Sequence, residues 1–318
     1  MGIKQEEERR RMIQIERIGG ILLEPIAENS WESRAVLNPA AIREGEDVHL
    51  LYRAVEGDNF STIGYARLDR HGNVLERRSE PVIWREYDHE RQGCEDPRVV
   101  FLQGKYFVLY TAYDGVNCRV AMASTEDFRY FEKHGIVGPD VSDKDAMFFP
   151  EPVNDRIIFI HRIEPDIQFA VFEDMEHFLN PGEGYWDRHL ASLDDYTVMR
   201  PEFEWEATKI GGGAPPIKTE DGWLFIYHGV DKNLVYRAGV ALLDLEDPYR
   251  VIARLPYPIL EPDRDYELYG DVNNVVFPEG TALFEDELFV YYGAADRVIG
   301  WGKVNVPELL EELKRHKL

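Results

Sequence analysis

The feature that most limits how this 318-residue chain can fold is one pattern that occurs five times. A proline opens an apolar strand, a polar turn follows, and a second apolar strand ends in an aromatic residue or His. Asn38-Pro39-Ala40-Ala41-Ile42 leads to His49-Leu50-Leu51-Tyr52-Arg53, and Asp96-Pro97-Arg98-Val99-Val100 leads to Phe107-Val108-Leu109-Tyr110-Thr111. The copies opened by Pro150, Pro215 and Pro278 lead to His161-Arg162, Tyr227-His228 and Tyr291-Tyr292. A third strand follows most copies, as in Ile63-Gly64-Tyr65-Ala66 and Ile299-Gly300-Trp301-Gly302. The spacing of roughly 50–65 residues is that of four-stranded propeller blades with long loops. Separate hairpins cannot bury both faces of their strands. The pattern therefore predicts an all-β chain, a five-bladed β-propeller over residues 21–306, with a β-sandwich as the alternative. Residues 1–20 are expected to form an N-terminal extension with a charged helix over 6–18, stopped by Gly19-Gly20. Residues 307–318 are expected to close the chain as a helix, with Pro307 in its first turn.

Composition narrows the partners. A 44% hydrophobic content with 12% aromatic residues supports a packed core. No run of 18 apolar residues occurs, and the charged N-terminus lacks the apolar stretch of a signal peptide. Cys94 and Cys118 are too few for a disulfide framework and match no zinc spacing, so a cytoplasmic setting without a metal is expected. The net charge of −24 disfavours nucleic acid and anionic membranes. An anion bound by this chain must meet a few deliberately positioned cations. The terminal helices point to a homo-oligomer.

In a propeller, equivalent positions of every repeat converge on the axis. The residue after each strand-ending aromatic or His is Arg53, Thr111, Arg162, His228 and Tyr292. The positions preceding each first strand include Asn38, Asp96, Lys144, Lys209 and Asp271. Lys144, Arg162, Lys209 and His228 form a cationic side, whereas Asn38, Arg53, Asp96 and Asp296 bring mainly carboxylates and amides. This clustering predicts an oxyanion site beside a polar-ligand site, with Gly211-Gly212-Gly213 allowing close backbone approach. Individually each residue also reads as an ordinary ion-pair partner, a core histidine or a turn acid. Asp96 sits at a strand mouth in Gly93-Cys94-Glu95-Asp96-Pro97-Arg98, where alternation sets Asp96 and Arg98 on one face and Glu95 on the other.

These residues resemble the mannoside phosphorylases of glycoside hydrolase family 130. The carriers are Glu95-Asp96-Pro97-Arg98, Lys144-Asp145-Ala146, Lys209-Ile210-Gly211, Tyr227-His228-Gly229, Val276-Phe277-Pro278 and Gly293-Ala294-Ala295-Asp296, spread over residues 21–306. The resemblance implies a five-bladed propeller that cleaves β-mannosides with inorganic phosphate as co-substrate, inverting the anomeric centre to give α-mannose 1-phosphate. It also implies Asp96 as general acid, Lys144, Arg162, Lys209 and His228 as the phosphate-binding set, and Asn38, Arg53, Arg98 and Asp296 as mannoside-binding residues. Lys144 departs from the Arg of many members and loses the bidentate fork. Glu95 stands where some relatives carry an aromatic. Acceptor choice is expected in loops such as 84–89 and 182–186.

The chemistry agrees with the residue types. Inverting glycosidases need one carboxyl as acid and a second to activate water. Phosphate is already an anionic nucleophile, so a cationic cradle can replace the base. Two other readings stay open: a β-mannosidase of the same family, and a catalytically silent mannoside-binding propeller.

Overall fold

The proline-opened apolar runs fold as antiparallel strands in a computed structural model, which describes residues 12–318. The chain is mostly β, arranged as five successive antiparallel units. Unit one comprises Ala35–Glu44, Asp47–Val55, Ser61–Asp69 and Val74–Arg77. Unit two comprises Gly93–Leu102, Lys105–Tyr113, Cys118–Thr125 and Glu132–Ile136. Unit three runs through Lys144–Phe148, Ile157–Arg162, Ile167–Phe172 and Thr197–Met199. Unit four runs through Lys209–Gly212, Trp223–Val230, Tyr236–Leu243 and Val251–Arg254, with Ile217–Lys218 added to its second strand. Unit five holds Val276–Phe284, Glu287–Ala294 and Val298–Asn305. A single parallel bridge, Ser61 to Gly93, joins units one and two.

The fourth strand of unit five comes from the other end of the chain. Glu16 and Arg17 pair with Lys303 and Gly302. This corrects the expected helix over 6–18 for its described part; residues 6–11 lie outside the described residues. The physical reason is period. Ile15 is buried in the core and Ile13 packs beside it, an alternation of two that suits a strand edge. The Ile15 amide also donates to the Ile259 carbonyl at 2.8 Å.

Strand alternation turns each unit into a two-faced layer. In the second strand of unit one, Val48, Leu50, Tyr52 and Ala54 pack toward unit five, whereas Leu51 packs toward unit two. Similar apolar clusters fill the spaces between units two and three, three and four, and four and five. The fifth unit thus packs against both the fourth and the first. Helix Val306–Lys314 seals one of these layers. The Asn305 side chain accepts from the Glu308 amide at 3.1 Å, and Leu309, Leu310 and Leu313 are buried between units four and five.

A buried polar latch recurs in four units. Tyr52, Tyr110, Tyr227 and Tyr292 donate their hydroxyls to Glu32, Glu90, Glu206 and Glu267 at 2.9, 2.7, 2.9 and 2.8 Å. Each glutamate is fully buried and lies in a short helical turn before its unit's central strands. Each then takes a cation from the fourth strand: Arg77, Lys133, Arg254 or Arg17. A glycine opposite the ring leaves room for it in units one, four and five; a Cβ on Gly64, Gly239 or Gly300 would lie within 2.5 Å of a tyrosine ring carbon. Unit three uses His161 instead, 2.9 Å from Asp143 and 3.0 Å from His189 of helix Tyr185–Ala191.

Arg17 therefore holds the N-terminal strand through a carboxylate that has no solvent alternative. Removing one partner of a buried pair leaves an uncompensated charge. Arg17→Met is expected to cost about 2–4 kcal/mol in urea unfolding. The exposed Arg315–Glu312 pair gives the contrast: Arg315→Ala should stay within about 0.5 kcal/mol. Equal effects of the two substitutions would contradict the latch.

Candidate active site

The site is built on a break in strand register. In the first strands of units one, two and three, pairing skips between Leu37 and Pro39, Glu95 and Arg98, and Lys144 and Met147. Each skip is a bulge that bends the strand and re-aims a side chain. Its first residue is Asn38, Asp96 or Asp145, with φ of 48°, 51° and 54°. Asn and Asp adopt this left-handed conformation more readily than other non-glycine residues. The same residue types thus serve the backbone and face the centre.

This register corrects the sequence alignment in units three, four and five; in the last two, Gly211 and Phe277, not Lys209 and Asp271, lie opposite the counterparts of Arg53. Asp145, not Lys144, is the counterpart of Asn38 and Asp96; Lys144 pairs with Arg162 across the strands. In unit five, Gly293 is the counterpart of Arg53, because Tyr292 is consumed by its latch to Glu267. The bulge also overrides the expected alternation around Asp96. Glu95 and Asp96 both face Arg53, which donates to them at 2.8 and 3.4 Å.

The structure gathers Asn38, Arg53, Asp96, Lys144, Arg162, Lys209, His228 and Asp296 around one cavity of about 210 Å³. Asp145, Glu164, Tyr236 and Phe277 join them, with Val272 and Val275. The segments 84–89 and 182–186 do not line it. In the latter, Tyr185 and Trp186 pack on the core of units two and three.

On the acidic side, Asp96 accepts from the Asn38 amide at 2.9 Å. Burial alone would raise its pKa, but Arg53, Lys144, Arg98 and the Asn38 hydrogen bond hold it below the usual carboxylate range. Asp296 behaves oppositely. Burial pushes it up to about 6, with Arg53 opposing and Asp96, Asp271 and Glu95 adding to the shift.

On the cationic side, the Arg162 Nε donates to Asp145 at 2.8 Å and its backbone amide to Asp143 at 3.1 Å. Another Arg162 nitrogen donates to Glu164, and Lys209 Nζ donates to the same Glu164 oxygen at 2.8 Å. Lys144 has no carboxylate in ion-pair contact among the described residues, and its charge is felt by the nearby Cys118 thiol. Burial works against its charge, but Asp96, Cys118 and Glu95 outweigh that and raise its pKa.

His228 departs from the cation expected of it. Burial pushes its pKa down to about 3, and Arg162, Arg98 and Lys209 add to the effect against Asp145. That shift favours a neutral imidazole; its Nδ1 has no hydrogen-bond partner, and its ring lies tilted with its centroid 4.3 Å from that of Phe277. It can contribute a hydrogen bond to an anion, not a charge.

Arg98 is the one predicted site residue that the cavity does not reach. Its side chain is 1% exposed and lies beneath the site. It donates to the carbonyls of Asp96, Gly212 and Gly213 at 3.2, 2.8 and 3.1 Å, and to Asp145 at 3.2 Å. Glu279 stands 2.8 Å from its other face. The glycine run likewise serves the protein's own packing: a Cβ on Gly211 would lie 2.3 Å from Asp145 and 2.8 Å from His228 Nε2.

Sequence reasoning passed over Asp145, Glu164 and Glu279. Asp145 had a readable signal, since it occupies in Lys144-Asp145-Ala146 the place that Asp96 occupies in Glu95-Asp96-Pro97. Its carboxyl orients Arg162, Arg98 and His228. Burial opposes its charge, yet Arg162 and Arg98 hold its pKa far below the usual range.

A bulge-borne acid thus faces anchored cations across one small polar cavity. The family model of glycoside hydrolase family 130, described as β-1,4-mannooligosaccharide phosphorylase, matches residues 6–315. A 1,2-β-oligomannan phosphorylase of Thermoanaerobacter sp. (strain X514) is 40% identical over 301 residues, spanning 91% of this chain and 96% of that one. A β-1,2-mannobiose phosphorylase of the same organism is 42% identical over 297 residues, spanning 88% and 93%. The solved β-1,2-mannobiose phosphorylase of Listeria innocua, in complex with β-1,2-mannobiose, superposes with a TM-score of 0.81 at 25% identity, covering 96% and 100%. The chain belongs to glycoside hydrolase family 130 and is an enzyme of its mannoside phosphorylase class. Among the described residues, no group of His, Cys, Asp and Glu has the arrangement of a metal site, and no helix is long and apolar enough to cross a membrane.

The raised Asp296 gives a signed pH test. Between about pH 4 and 6 the folded protein keeps a proton that the unfolded chain releases, so this group's contribution to stability falls as pH rises through that window. Asp296→Asn removes the penalty. Its stability relative to wild type should be greater at pH 7.5 than at pH 4.5, by about 2–3 kcal/mol in urea titrations. A difference that does not change with pH would contradict the buried setting of Asp296.

Proposed function

We propose that this enzyme cleaves β-1,2-linked manno-oligosaccharides with inorganic phosphate, inverting the anomeric centre and releasing α-mannose 1-phosphate. The observation that carries the reading is Asp96, on a bulge beside Asn38 and Arg53, facing Lys144, Arg162 and Lys209 across one cavity. The linkage rests on the two Thermoanaerobacter relatives, both named for β-1,2 substrates. The five units, with the N-terminal strand completing the fifth, are read as the blades of a five-bladed propeller spanning residues 21–306 plus that strand, with the site on its axis.

In this reading Asn38, Arg53 and Asp296 hold the mannosyl unit beside Asp96. Phosphate lies against Lys144, Arg162 and Lys209, with the neutral His228 donating or accepting one hydrogen bond. Lys144 acts on both partners, because it lies in the field of Asp96 and lacks an ion-pair partner of its own. Before phosphate binds, the cations keep Asp96 ionised. The negative charge of phosphate opposes those cations and favours protonation of Asp96. The acid is thereby armed only when its nucleophile is present. Its proton goes to the leaving sugar, directly or through a mannosyl hydroxyl, as phosphate attacks the anomeric carbon from the opposite face. Arg98 and Asp145 position these groups from below.

Asp96→Asn should retain the fold and lose about 10²–10⁴ in phosphorolysis rate; turnover near wild type would remove Asp96 from its role. Linkage is tested in the synthetic direction. With α-mannose 1-phosphate and a panel of acceptors, phosphate release with mannose or β-1,2-mannobiose and a β-1,2-linked product is expected. A β-1,4-linked product, or preference for glucose, would overturn the linkage assignment while leaving the phosphorylase class intact.

A further inference from the structure

One carboxylate in the cavity has no part in the mechanism above. Glu164 sends a single oxygen, Oε1, to both Arg162 and Lys209. These are two of the cations assigned to phosphate, and among the described residues Glu164 is the only carboxylate paired with Lys209. An anionic oxygen bridging a guanidinium and an ammonium makes the same contacts that a phosphate oxygen would make there.

We propose that Glu164 is an internal competitor of phosphate: its carboxylate takes the anion position between Arg162 and Lys209, and swings out when phosphate enters. The proposal rests on the phosphate-binding reading of these two cations. Three further observations support a side chain that moves alone. The Glu164 side chain is 58% exposed, against 5% for Arg162 and 22% for Lys209, so its carboxylate can return to water at little desolvation cost. The backbone on either side is pinned. The Ile163 amide and carbonyl are both bonded to the Gln168 side chain, at 2.8 and 3.1 Å, and the Pro165 carbonyl accepts from the Ile210 amide at 3.1 Å. Arg162 keeps its bond to Asp145 through Nε, so its guanidinium stays aimed when Glu164 leaves.

Such a competitor sets a threshold. A monovalent anion offers the two cations no more charge than Glu164 already supplies. Phosphate dianion offers more and also reaches the unpaired Lys144. Glu164 thereby keeps the cradle ordered and closed to weak anions, and it raises the phosphate concentration needed for half-saturation.

The test is calorimetric titration of inorganic phosphate into wild type, Glu164→Gln, Glu164→Ala and Lys209→Ala, with steady-state kinetics beside it. Lys209→Ala should weaken phosphate binding. Both Glu164 variants should tighten it by roughly 3–10-fold, as expected for release of partly exposed ion pairs. The KM for phosphate should fall accordingly, while the KM for the mannoside moves less than twofold, and formate should become a better inhibitor. If Lys209→Ala weakens binding but the Glu164 variants leave it unchanged or weaken it too, Glu164 merely orients the cations and the competitor is overturned. If none of the variants shifts phosphate affinity, Lys209 is outside the phosphate site, and the cradle reading falls together with the competitor.

Discussion

The guanidinium of Arg98 is the contact on which the centre of this molecule depends. It is buried beneath the cavity and bonds backbone or side chains of units two, three, four and five: Asp96, Asp145, Gly212, Gly213 and Glu279. A charge so far from water is tolerable only because nearly every donor has an acceptor. The three carbonyls fix the bulge of unit two and the glycine run of unit four relative to each other. Asp145 then transmits that position to Arg162 and His228. The residues that would touch substrate are therefore held from below by one that does not.

Around that centre, the Tyr–Glu–cation latches tie the second and fourth strands of units one, two, four and five to the turn that precedes them. They account for the strand Glu16–Arg17 that completes the fifth unit. Arg17 is the fourth cation in a series whose other members are Arg77, Lys133 and Arg254. Unit three, which carries Lys144, Asp145 and Arg162, is the one that replaces the tyrosine, using a histidine pair and Asp143. Asp143 also accepts from the Arg162 backbone, so the substitute latch is wired directly to the cationic side.

The electrostatics show how a chain of net charge −24 keeps several cations around one cavity. Every cation except Lys144 is shared with the protein's own carboxylates: Arg53 with Glu95 and Asp96, Arg162 with Asp145 and Glu164, Lys209 with Glu164. The pairs keep long side chains ordered without a ligand. In the proposed reaction they couple acid to nucleophile, because phosphate on the cations would loosen their hold on Asp96.

Much of this was legible in the sequence, because the repeat fixes equivalent positions and the chemistry-bearing residues sit at them. Asn38, Asp96, Arg53 and Arg162 could be read that way. Two of the errors share one physical origin. A bulge adds a residue that the alternation rule cannot see, which shifted Asp145 by one position and sent Glu95 to the wrong face. Tyr292 was misread because a latch tyrosine and a site residue are neighbours in every repeat. The latch itself left a trace that went unused: an aromatic or His one residue before each glutamate, as in Trp31-Glu32, His89-Glu90, Trp205-Glu206 and Tyr266-Glu267. The N-terminal strand was hidden by its charge, since its partner lies almost three hundred residues away. The hub role of Arg98, and Glu279 beside it, were beyond sequence reading, for nothing in their local context distinguishes a buried hub from a surface ion pair.

The proposed mechanism turns on phosphate, not water, as the nucleophile, with Asp96 as the acid. It is tested most directly by following β-1,2-mannobiose with the enzyme by proton and phosphorus NMR, with and without inorganic phosphate. The predicted result is one α-mannose 1-phosphate for every bond cleaved, and no cleavage without phosphate. Cleavage that proceeds equally well in phosphate-free buffer, giving mannose alone, would contradict it.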